Sequence, residues 1–201
     1  MVIEDEFLNV YNEYYQKIIQ YLSKIVGPDE AEDITQDVFN KVGRSIKEFR
    51  GDSKLSTWIY RIATNTAIDR LRSAAYKHSS KQRPIEEAPD LEDQSVWTAQ
   101  KPTTTDQTLI RKEMSQCVIE FVDNLPLDYK TVIVLSELEG LANKEIAEIL
   151  GISLDNVKMR LHRARAKLKA TLNEGCDFYR DEQSTLACDR KLSQILPKPP
   201  R

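Results

Sequence analysis

The side chains best placed to do chemistry here bind a polyanion rather than break bonds. Between Gly151 and Leu172 lie Lys158, Arg160, Arg163, Arg165, Lys167 and Lys169 against one acid, Asp155. That is a local charge of +5 in a chain of formal net charge −3. Earlier, Arg61, Asn65, Asp69 and Arg72 recur at helical spacing, and Asn and Arg are side chains that hydrogen-bond base edges. Asp33, Gln36 and Asp37 share another helix face, suited to docking a basic partner. Covalent chemistry has little support. There are two His (His78, His162), no nucleotide-binding loop and no nucleophile with a base at hand. No enzymatic activity and no cofactor are expected.

These groups need helices to position them. Leu141–Leu150 reads as a short amphipathic helix with Ile146, Ile149 and Leu150 on one face. Gly151 stands where a helix end needs positive φ, Ile152 packs under the turn, and Ser153 is an N-cap for the next helix. That helix runs from Leu154 to about Leu172, with Val157, Leu161, Ala164 and Leu168 as its buried stripe. Ala147, Gly151 and Val157 supply the close approach, the tight turn and the wedge of a helix-turn-helix. Lys158, Met159, His162 and Arg163 face away from the stripe and can reach base edges. Ser153, Asn156, Arg160, Arg165 and Lys167 are placed to hold phosphates. Upstream, a helix from Cys117 stops at Pro126 and another spans Leu127–Glu139. Cys117 reads as an inert core thiol.

In the N-terminal part, Gly27-Pro28-Asp29-Glu30 starts a helix with Pro in its first turn and acids at its positive end. Ala31, Ile34, Val38 and Val42 are its buried stripe. A further helix carries Leu55, Ile59, Ile62 and Ala63 on its core side. Trp58 and Tyr60 can stack on bases or fill the core.

The 201 residues therefore divide into two small helical domains, at 1–76 and 109–172, an acidic linker at 77–108 and an extension at 173–201. The linker carries three Pro and six acids, and the chain ends Pro197-Lys198-Pro199-Pro200-Arg201. Six Gly and few strand-like alternations favour an all-α fold. No apolar run spans a membrane and the acidic N-terminus lacks an export signal, so a cytoplasmic protein is expected. Cys176 and Cys188 are weak metal or redox candidates, since two ligands make half a zinc site. A helical extension or partner-binding tail is the plainer reading of 173–201.

Asp33-x-x-Gln36-Asp37-x-Phe39, Phe49-Arg50-Gly51 and Trp58-Ile59-Tyr60-Arg61-Ile62-Ala63-x-Asn65, followed by a terminal helix-turn-helix, form a combination. It resembles the extracytoplasmic-function (ECF, group 4) sigma factors of the sigma-70 family. The resemblance covers about residues 5–75 and 109–172 and departs after Leu172. It implies a promoter-specificity subunit of RNA polymerase with two domains, region two and region four. Asp33, Gln36, Asp37 and Phe39 would bind the β′ clamp helices, and region four the β flap. Arg61, Asn65, Asp69 and Arg72 would read the minus-ten element. Phe49, Arg50, Gly51 and Lys54, with Asn65, would line a pocket for a flipped base. Lys158, Met159, His162 and Arg163 would read the minus-thirty-five element, with Ser153, Asn156, Arg160 and Arg165 beside them. An anti-sigma partner is also implied. Two alternatives stay open: a stand-alone helix-turn-helix regulator binding duplex DNA as a dimer, and a sensor whose Cys176 and Cys188 set the DNA-binding state.

Overall fold

A computed structural model describes residues 2–78, 117–180 and 186–191. Beyond His78 the acidic linker lies outside the described residues, as does Pro197–Arg201. The N-terminal unit is three helices, α1 (Val2–Val26), α2 (Pro28–Ser45) and α3 (Leu55–His78), each packed on the other two. Gly27, at φ 92°, and Pro28 end α1 and restart the chain as α2. A single 3-10 turn, Ile46–Glu48, closes α2. Ala31, Ile34, Val38 and Val42 are all buried, as their spacing requires, and meet Ile18, Tyr21, Leu22, Ile59 and Ala63 in one core. Burying each large aliphatic there stabilises the unit by about 1.5–3 kcal/mol. The buried hydroxyls of Tyr21 and Thr64 satisfy one another and the backbone. Thr64 Oγ1 donates to the Tyr60 carbonyl at 2.7 Å, which leaves it to accept the Tyr21 hydroxyl at 2.8 Å.

The C-terminal unit begins with helical residues 117–123 (α4). Pro126 then starts α5 (Leu127–Ile133). The sequence predicts one helix from Leu127 to Glu139. Instead the last turn, Val134–Leu138, widens to a π turn, with the Glu139 N–H on the Val134 carbonyl at 3.0 Å. Next come α6 (Asn143–Leu150) and α7 (Leu154–Gly175), which pack on one another, α7 also against α5. Ile146, Ile149, Val157, Leu161 and Ala164 are buried between them.

The extension corrects one expectation. In place of more helix, α7 stops at Gly175 and the chain folds into an antiparallel hairpin of β1 (Cys176–Arg180) and β2 (Leu186–Arg190). Cys176 pairs with Arg190 and Phe178 with Cys188. A lone two-stranded hairpin is marginal in water. This one leans on helix. The Lys191 N–H bonds the Gly175 carbonyl at 2.9 Å, Cys176 and Ala187 are buried, and Arg190 pairs with Glu120 while lying over the Phe121 ring. The fold is otherwise all-α among the described residues.

The two units touch. Helix α3 packs on α6. Glu139 accepts the Tyr60 hydroxyl at 2.6 Å and pairs with Lys24 at 2.8 Å, and Lys54 pairs with Glu145 at 2.8 Å.

Candidate nucleic-acid interface

The turn between α6 and α7 follows the predicted chemistry. Gly151 sits at φ 63°, ψ 34°, left-handed helical space that a Cβ would strain. Its neighbour Ile152 sends its N–H to the Ala147 carbonyl at 3.1 Å. Ser153 Oγ accepts the Asn156 N–H at 3.2 Å, satisfying one of the free donors at the start of α7. Val157 and Leu161 pin α7 inward, so Lys158, Met159 and His162 face solvent. These three and Arg163 line a single shallow groove of about 270 Å³. Met159 is 51 % exposed, a large apolar side chain held outward beside three basic or polar neighbours.

Three cations on and beside this groove are paired with acids. Arg165 donates to Glu137 Oε1 at 2.6 Å, Arg160 lies 3.6 Å from Asp128, and Lys158 lies 3.3 Å from Asp155. Each pair joins exposed or half-exposed side chains, so each is weak and exchangeable.

In the N-terminal unit Arg61, Asn65, Asp69 and Arg72 are all exposed along α3. At its start, Phe49 stacks on Trp58 with centroids 5.3 Å apart, tilted 46°. Phe49, Arg50, Trp58 and Arg61 line one wall of a cleft of about 570 Å³, and Ala147, Glu148, Gly151 and Ile152 line the other. The predicted base-capturing loop thus faces the helix-turn-helix. Thr57 also lines this cleft. Its hydroxyl is buried and lacks a hydrogen-bond partner among the described residues. Sequence reasoning missed Thr57, since no spacing signal separates it from a core threonine. Tyr60 is core rather than base-stacking. It is 6 % exposed, edge-on to Tyr21, and bonded to Glu139. Burial, then the bond to Glu139, raises its phenol well above the usual range, so it remains a donor.

On α2, Asp33, Gln36 and Asp37 are exposed together on one face. Phe39 is not with them. It is 2 % exposed and packs edge-on against Tyr11 at 5.0 Å and beside Tyr15 at 5.8 Å. The expectation that Phe39 touches a partner is corrected: α1 covers it, and it supports the acidic face from below.

Residues 10–76 match the family described as Sigma-70 region 2, and residues 115–168 match Sigma-70, region 4. An ECF RNA polymerase sigma-E factor from Haemophilus influenzae is 36 % identical over 160 residues, 78 % of this chain and 82 % of that one. The chain belongs to the ECF sigma factors. The ECF RNA polymerase sigma-E factor of Escherichia coli is 33 % identical over 152 residues, 76 % of this chain and 78 % of its own length. Two solved structures share the fold. The sigma factor RpoE from Bartonella quintana, solved with the anti-sigma factor NepR, gives a TM-score of 0.61 at 21 % identity, covering 84 % of this chain and 97 % of that one. CnrH, solved with the cytosolic domain of CnrY, gives 0.57 at 24 % identity, covering 85 % and 90 %.

This sigma factor directs RNA polymerase to promoters, and its helix-turn-helix lies in region 4. No helix among the described residues is long and apolar enough to cross a membrane. One feature was only half visible in the sequence. Cys117, set aside as an inert core residue, lies with Cys176 and Cys188, and all three sulfurs fall within 4.8 Å of one another. Burial, then the neighbouring Cys117, pushes the Cys176 thiol up to about 11. Burial also raises the Cys188 thiol.

Proposed function

We propose that this ECF sigma factor holds RNA polymerase through the acidic face Asp33, Gln36 and Asp37, and reads promoter DNA at two places. The minus-ten element is read by Arg61, Asn65, Asp69 and Arg72 with the loop Phe49, Arg50, Gly51 and Lys54. The minus-thirty-five element is read by Lys158, Met159, His162 and Arg163, with Ser153, Asn156, Arg160 and Arg165 on phosphates. The observation that carries this reading is the shared groove of Lys158, Met159, His162 and Arg163 on the outer face of α7. An α-helix presented this way fits the major groove, where each good base contact gives about 1–3 kcal/mol of discrimination. Thr57 adds a second support, since a buried hydroxyl without a partner suits a base entering the cleft beside Trp58.

The domains assigned are 1–76 for region two, 77–108 for the linker, 109–172 for region four and 173–201 for the extension. The contacts between the units describe a closed form. Lys54 is engaged by Glu145, and the loop at Phe49 lines one cleft with Gly151. Binding at two promoter elements requires these contacts to open. The structural neighbour RpoE, solved with the anti-sigma factor NepR, extends the reading to control by such a protein.

The test mixes the purified chain with core RNA polymerase and a promoter library and sequences the transcripts. Initiation at defined start sites supports the assignment, and Asp37→Lys abolishes it while the helical content is kept. Tight duplex binding by the free protein with no new transcripts would mean a stand-alone regulator.

A further inference from the structure

We propose that Cys117, Cys176 and Cys188 form a three-thiolate site for a thiophilic metal ion of the zinc class, clamping the C-terminal hairpin to both ends of the region 4 unit. These are all the cysteines of the chain. They come from three separate elements: α4, the junction of α7 with β1, and the middle of β2. The Cys117 and Cys176 sulfurs stand 4.0 Å apart, and all three sulfurs lie within 4.8 Å of one another. Zinc bound at about 2.3 Å to each thiolate needs sulfurs about 3.8 Å apart in a tetrahedron, so small side-chain rotations close the site. Sulfur donors select soft or borderline ions over magnesium or calcium.

The surroundings suit a thiolate set. Arg190 Nε donates to Cys117 Sγ at 3.4 Å, and its guanidinium is held in place by Glu120 and the Phe121 ring. Three thiolates on a divalent ion leave one negative charge, and this arginine lies against it. Such an N–H···S bond orients the ligand and tunes the centre. The fourth corner of the tetrahedron is left to solvent or an incoming ligand. Binding releases three thiol protons to buffer as water leaves the ion. No oxidant is needed.

The placement gives the ion a structural task. Cys176 is the residue on which α7 ends, so the ion would fasten the end of the recognition helix to α4, 59 residues earlier. Between the strands, Cys188 pairs with Phe178. A short hairpin with little core of its own gains most from such a staple.

The test uses the full-length reduced protein without oxygen, offered Zn²⁺, Cd²⁺ or Cu⁺ singly and then desalted. One retained ion per chain, sulfur-to-metal charge-transfer absorption with Cd²⁺, and a higher melting temperature with metal are expected. Cys117→Ser, Cys176→Ser and Cys188→Ser each lose the retained ion and the shift in melting temperature. If Cys176→Ser does not fold, the half-buried Cys117→Ser and Cys188→Ser decide, with helical content checked by circular dichroism. Retention of the ion by Cys117→Ser, or no retention of any of the three ions by the parent chain, overturns the proposal. So does a disulfide forming under mild oxidation in a chain that binds no metal.

Discussion

Tyr60 on α3 donates its phenolic hydrogen to Glu139, 79 residues later, across 2.6 Å. The same carboxylate holds Lys24 of α1 at 2.8 Å, with only 11 % of its side chain exposed. One acid of region 4 therefore grips two helices of region 2. Tyr60→Phe keeps the ring against Tyr21 and removes only the bond. Leaving Glu139 one donor short in a mostly buried place costs about 1–2 kcal/mol. The expected outcome is a lower urea midpoint for the free protein and a wider separation between fluorophores placed one in each unit. An unchanged separation would show that the bond does not hold the closed form.

A second link, Lys54 to Glu145, carries a pH signature. The hydrogen bond from Lys54, then that from the Ala142 N–H, holds the Glu145 carboxyl below its ordinary 4.5. A lowered folded value means the contribution is present above 4.5 and is lost as pH falls through the depressed value. Lys54 is shifted up from 10.5, chiefly by the bond to Glu145, so its share is present at lower pH and is lost above that value. The contact is therefore complete between these limits. Glu145→Gln keeps an acceptor for the Ala142 N–H, bonded at 2.9 Å, but removes the charge. The units of this variant should stand further apart near neutrality and show a weaker acid dependence. Small-angle scattering across an acid titration of both proteins measures this.

Local chemistry made much of this legible in the sequence. Gly151, Ser153 and the Val157–Leu161 stripe are specified by neighbours within one or two turns, and each lies where its type demands. The α2 stripe is legible for the same reason. What failed depends on partners far along the chain. Phe39 is two positions from Asp37 and so lies on the other side of α2, with the buried Thr35, Val38 and Val42, where α1 packs over it. Cys117 is unremarkable until the hairpin returns to it. The hairpin hides because its strands are five residues each and lean on α4 and α7 rather than on one another's faces.

The cap of the recognition helix gives a graded prediction. Ser153 Oγ accepts the Asn156 N–H at 3.2 Å. Ser153→Ala removes it and costs about 1 kcal/mol of stability. Gly151→Val costs more, because a β-branched side chain is forced to φ 63°. Thermal unfolding should rank them parent, Ser153→Ala, Gly151→Val. The reverse order would mean that the turn relaxes freely.

Base contacts and phosphate contacts on α7 separate by sequence dependence. Arg163 lies in the groove with Lys158, Met159 and His162. Arg163→Ala should cost about 1–3 kcal/mol at the preferred minus-thirty-five sequence and relax the preference at one position. A uniform loss over all sequences would place Arg163 on phosphate instead. Binding to a randomised upstream element, read by sequencing, distinguishes the two.

Arg165 makes the opposite prediction, because its guanidinium is already occupied. It donates to Glu137 Oε1 from two nitrogens, at 2.6 and 3.3 Å, with both side chains about half exposed. A phosphate that takes Arg165 must displace this carboxylate and approach its charge. An exposed pair of this kind is worth about 0.2–1 kcal/mol. Glu137→Gln should therefore tighten binding to minus-thirty-five duplex by a few-fold, equally for preferred and scrambled sequences. If Arg165 in the parent is kept from phosphate by the pair, the slope of log affinity against log salt steepens by about one contact in Glu137→Gln. Arg165→Gln then removes that gain, because the freed cation no longer exists. A gain that persists in the double variant would trace to the lost acid alone rather than to the released arginine.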